Sequence, residues 1–92
     1  MTVEVYATRQ IAESTRRFYA MCPFDVKVVR VRVVNPGKLE KSGVRLIATP
    51  SLTPSFYSPK RGDILYTKVY RKKGGRRWRT AWLADVGLEL AE

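Results

Sequence analysis

The sequence predicts an α+β domain: one N-terminal helix packed on a twisted antiparallel sheet of four to six strands, open or partly closed into a small barrel, with a basic β-hairpin near the C-terminus. Three observations carry this expectation. Apolar residues recur at intervals of three and four over a single stretch, 8–22, the spacing of one buried helix stripe. Elsewhere they alternate every second residue, as half-buried strands do. The chain has 92 residues, room for one modest core and not two, so residues 1–92 are read as a single domain.

Val3, Val5 and Ala7 alternate with Glu4 and Tyr6, a short first strand. Thr8 is a good N-cap for the helix that follows, whose buried stripe is Ile11, Ala12, Thr15, Phe18, Tyr19 and Cys22. Glu13 and Arg17 pair at i, i+4 on its outer side, and Pro23 ends it. Residues 25–34 are rich in β-branched side chains and read as a second strand, with Val29, Val31 and Val33 on one face and Arg30 and Arg32 on the other.

Asn35, Pro36 and Gly37 stop that strand. GKLEKSG, residues 37–43, lacks the residue order of a phosphate loop and reads as an exposed turn. Val44, Leu46 and Ala48 alternate in a partner strand. Residues 50–62 hold three prolines and no period, which makes them a loop. Residues 63–71 and 76–84 then form the two limbs of the hairpin, and Val86, Leu88 and Leu90 allow one further short strand.

Lys and Arg number 18 against eight Asp and Glu, a formal net charge of +10 with a pI near 10.3. The surplus is concentrated. Residues 51–79 carry nine basic side chains against the single Asp63, whereas the last thirteen carry only three acids. Such a charge repels itself and lowers stability unless a polyanion or an acidic surface offsets it. One cysteine, Cys22, and no histidine leave no internal disulfide and none of the usual zinc or iron–sulfur spacings, so neither metal nor cofactor is expected. A reducing, cytoplasmic setting fits that usage. The first residues lack a signal-peptide pattern and no apolar run reaches membrane-span length, so no membrane partner is expected. Gln10 and Asn35 are the only side-chain amides, a depletion of thermolabile residues like that of heat-adapted proteins.

YRKKGGRRWRT, residues 70–80, holds six Lys and Arg in eleven positions around Gly74 and Gly75. With both glycines in a primed two-residue turn, residues whose numbers sum to 149 lie opposite one another. Leu65, Thr67, Val69 and Arg71 then share the core face with Trp78, Thr80, Trp82 and Ala84. The other face interleaves Tyr66, Lys68, Tyr70 and Lys72 with Arg77 and Arg79, and Lys73 and Arg76 flank the tip. Like charges set opposite one another destabilise a sheet, which points to an external anion. Basic edges that merely resist strand addition are the alternative.

The expected site is therefore Tyr66, Lys68, Tyr70, Lys72, Lys73, Arg76, Arg77 and Arg79, extended by Arg30 and Arg32. Cations would neutralise phosphates and the tyrosines would stack on bases. The function that follows is a small basic nucleic-acid-binding protein, weakly specific or nonspecific, for DNA or RNA in single or double strands. A ribbon entering a duplex major groove often comes from a dimer, and a homodimer is compatible with the sequence. One rival is a basic interaction or structural module, such as a virion or ribosome-associated component, meeting an acidic protein. Another is a metal-free, toxin-like ribonuclease using Lys68, Tyr70, Arg77 and Arg79.

SLTPSFYSPKRGDIL, residues 51–65, resembles the Ser-Met-x-Pro segment and following Gly-Asp strand of signal-peptidase-like and repressor-type Ser/Lys peptidases. The resemblance implies Ser51 as a nucleophile, with Pro54, Gly62 and Asp63 as scaffold. Leu52 stands where that pattern has Met, and the spacer before Gly62 is longer. The site expectation rests on the basic hairpin and contains no catalytic residue.

Overall fold

Two long strands run antiparallel through the centre of the protein: β2, Phe24–Val33, and β5, Ile64–Lys72. Phe24 lies opposite Lys72 at one end of the pair and Arg32 opposite Ile64 at the other. The computed structural model describes residues 3–16, 23–49, 51 and 53–92. Around the central pair lie β1, Val3–Tyr6, β3, Val44–Ile47, β4, Pro54–Ser55, and β6, Leu88–Leu90. The order across the sheet is β4-β3-β1-β5-β2-β6. The helices are α1, Arg9–Arg16, α2, Pro36–Lys41, and α3, Trp82–Asp85.

This corrects the expected architecture of one N-terminal helix on an antiparallel sheet with a C-terminal hairpin. The sheet is mixed, because β1 and β3 pair in parallel, and among the described residues it carries three short helices. β1 and β2 are both antiparallel to β5, so they run the same way, and the β1-α1-β2 crossover has β5 inserted within it. That insertion displaces the hairpin. The side of β5 turned away from β2 is taken by β1, through the Tyr6–Tyr66 rung and a hydrogen bond from Thr67 Oγ1 to the Glu4 carbonyl at 3.0 Å. Of the second limb only the Tyr70–Arg79 bridge remains, and residues 82–85 coil into α3.

Local chemistry explains the helix starts. Thr8 Oγ1 accepts from the Ile11 N–H at 3.2 Å, the N-cap bond of α1. Asn35 Oδ1 accepts from the Lys38 N–H at 3.1 Å, and Pro36 follows it in the first helical turn. The segment read as an exposed turn is thus a helix, and its Leu39 is fully buried. Phe18, Tyr19 and Cys22 of the expected helix stripe, together with Arg17, Pro50 and Leu52, lie outside the described residues, as does the side chain of Thr15.

Each face of the sheet is covered. Val5, Val29, Val31, Val33 and Val69 pack with Leu39, Leu83 and Leu88 on one side, and Trp78 and Trp82 lean on that cluster. On the other, Ile11 and Ala12 of α1 close over Tyr6, Val28 and Ile47. The loop before β5 is tied by Asp63, whose carboxylate accepts from Tyr57 Oη at 2.5 Å and from the Lys60 N–H at 3.2 Å. Burial, followed by the Asp63 contact, raises the Tyr57 phenol above its ordinary pKa. Among the described residues no helix is long and apolar enough to cross a membrane.

Candidate nucleic-acid interface

β5 continues six residues beyond its rung with β1 at Tyr66 and ends at Lys72. There the chain reverses. The Gly75 N–H donates to the Lys72 carbonyl at 2.6 Å, and Gly74, third in the turn, has a φ of 80°. That positive φ falls at the third position of the turn, as type II requires, and not at the second, where primed turns need it, so the expected primed turn does not form. The Lys73 N–H donates to the Pro23 carbonyl at 3.2 Å, which fastens the turn to the start of β2. The Arg79 N–H donates to the Tyr70 carbonyl at 2.8 Å and returns the segment to the sheet.

This turn gathers Lys72, Lys73, Arg76, Arg77 and Arg79 at one end of the sheet, all exposed. Among the described residues no ion pair holds any of the five. Two neighbouring cations point the other way. The Arg71 guanidinium donates to Asp25 Oδ2 at 2.8 Å and stands 4.5 Å from the Trp78 ring centre, with Lys27 Nζ at 4.7 Å. The Arg71 hydrogen bond holds the Asp25 carboxyl below its ordinary pKa.

Tyr70 joins the basic end as the partner of Arg79. Other expected site residues do not. Lys68 is 6% exposed, its ammonium 5.1 Å from the Tyr6 ring centre, and Tyr66 packs into the core beneath α1 with the Arg9 guanidinium 5.1 Å over its ring. The grouping of Lys68 with Tyr70, Arg77 and Arg79 that a ribonuclease reading needs is therefore not displayed on one accessible surface. Arg30 and Arg32 sit six and eight residues along β2 from Phe24, roughly 20 and 26 Å away at about 3.3 Å per residue. Both are occupied. Arg32 pairs with Glu89 at 2.8 Å, and the Arg30 guanidinium donates to the Ala91 carbonyl at 3.0 Å. Glu92 accepts from the Arg30 N–H at 2.9 Å and pairs with Arg9, which holds its carboxyl below the usual range.

No family model matches the chain, and no curated protein or solved structure is significantly similar to it. Geometry and charge alone carry the functional argument.

One residue of the basic end was not foreseen. Phe24, 39% exposed, is the register partner of Lys72, and the Arg79 guanidinium stands 5.8 Å from its ring centre. The signal lies in the two-residue period of β2, which places Phe24 on the face of Val26 and Val28 once the strand is begun one residue earlier. The Ser/Lys peptidase resemblance gains no site. Ser51 Oγ shares hydrogen bonds with Thr49 Oγ1 at 2.7 Å and Thr53 Oγ1 at 3.3 Å, and among the described residues no lysine joins that row. Among the described residues no group of three metal-ligating side chains occurs.

Proposed function

We propose that the protein binds nucleic acid through its phosphates, using Lys72, Lys73, Arg76, Arg77 and Arg79 at the end of β5. The observation that carries this reading is a contrast in pairing. Arg9, Arg32 and Arg71 each close an ion pair, yet five exposed cations are crowded into eight residues and among the described residues none of them closes one, Lys73 feeling the Asp25 carboxylate only at longer range. Each close like-charged pair costs about 1 kcal/mol in water, and a bound polyanion reverses that sign. Phosphate contacts position a ligand without reading its bases, so binding is weakly specific or nonspecific.

A salt titration of binding to labelled single- and double-stranded DNA and RNA tests this. Five phosphates neutralised correspond to a slope of log K against log salt of roughly −3.5 on single strands and −4.5 on duplex. Failure to bind any of the four at low salt would remove the reading and favour an acidic protein as the partner of this surface.

A further inference from the structure

The geometry points to single-stranded nucleic acid as the ligand class, with Phe24 as the platform on which a base stacks. This rests on the reading that the basic end binds nucleic acid. Phe24 opens β2 with its ring exposed, Lys72 beside it across the β2–β5 pair and Arg79 over the ring. A cationic track with an exposed aromatic in it is the arrangement by which proteins hold single strands, because every base has a face to stack and the phosphates either side are neutralised.

A duplex offers less to this surface. Its base faces are stacked away inside the helix, so the Phe24 ring has nothing to meet. Entry into the major groove needs a helix or a two-stranded ribbon, and here the second limb is joined to β5 by a single bridge at Tyr70–Arg79. Lys73, fastened to Pro23 through its backbone, holds the basic turn beside the start of β2, so cations and aromatic ring stay together. The Arg79 guanidinium stands 5.8 Å from the ring centre, closer than the roughly 7 Å that two van der Waals layers need, so a base stacks on Phe24 by displacing this exposed side chain, which stays beside the flanking phosphate.

The test compares fluorescence anisotropy of labelled oligo(dT), oligo(U) and a duplex of equal length for the wild type, Phe24→Ala and Phe24→Trp. Tighter binding of the single strands is expected. Phe24→Ala weakens it by roughly 5- to 150-fold, well beyond any loss on the duplex, and Phe24→Trp preserves it. Far-UV circular dichroism confirms that each variant is folded. Equal wild-type affinity for single strand and duplex, indifferent to Phe24→Ala, would overturn this inference while leaving the phosphate-binding function standing. Absence of binding to every oligonucleotide would overturn both.

Discussion

The guanidinium carbon of Arg71 stands 4.5 Å from the centre of the Trp78 ring, on the core side of the sheet and away from the five exposed cations that follow it in sequence. Trp78 thus joins two otherwise separate jobs. It packs on the main core and, with Arg71 and Lys27 both against its ring, anchors the segment that carries Arg76, Arg77 and Arg79.

Replacing Trp78 with Ala should destabilise the protein by roughly 1.5–2.5 kcal/mol, about half the loss at a fully buried aromatic because the ring is partly exposed. At about 4–8 °C per kcal/mol for a domain of this size, the melting temperature should fall by roughly 6–20 °C. Trp78→Phe should retain much of the difference. Thermal unfolding followed by circular dichroism reads both.

Asp25 should make part of the stability depend on acid pH. Its folded pKa is depressed, first by the Arg71 hydrogen bond, so its contribution is complete above the ordinary value of 3.8 and is lost as pH falls through the lower, folded value. Urea midpoints of wild type and Asp25→Asn should therefore differ near neutral pH and converge as pH is lowered from about 5 to about 2. A gap that stays constant over that range would deny the ion pair this role.

Gly87 and Gly62 both have positive φ, of 81° and 93°, but their surroundings differ. A Cβ on Gly87 would lie 2.4 Å from the Asn35 carbonyl oxygen, whereas one on Gly62 would meet nothing within 4 Å. Gly62→Ala should cost only the backbone term, about 1–2 kcal/mol. Gly87→Ala should cost clearly more, since the carbonyl of Gly87 also accepts from Val34 and Asn35 and the backbone cannot yield without losing those bonds. Chemical denaturation ranks the two variants.

Much of the strand placement was legible in the sequence because valines at alternate positions leave few choices of face: Val29, Val31 and Val33 turn together into one core. Leu65, Thr67 and Val69 are buried as their period predicts. Pairing was not legible. Periodicity says which face a residue takes and nothing about which strand lies beside it, so the parallel β1–β3 contact and the insertion of β5 between β1 and β2 left no local trace. The expected register survives only at Tyr70–Arg79, where β5 has already passed its rung with β1. In the site, the turn cations could be named from sequence, but the burial of Lys68 against Tyr6 depends on α1 covering that face of the sheet. The pairing of Arg30 and Arg32 with β6 and the residues after it depends on where the C-terminal segment docks, a tertiary fact. Asn35 followed by Pro36 was a readable helix start, obscured by the glycine and charges after it.

The most direct test removes two charges from each end of the sheet and compares salt dependence on a labelled single strand. For Arg77→Ala/Arg79→Ala the slope of log K against log salt should shrink in magnitude by about 1.4, two phosphates at roughly 0.7 each. For Arg30→Ala/Arg32→Ala, whose side chains are already engaged by the C-terminal segment, it should match the wild type. Equal loss in both double variants, or loss only in the second, would contradict the placement of the phosphate-binding surface at the end of β5.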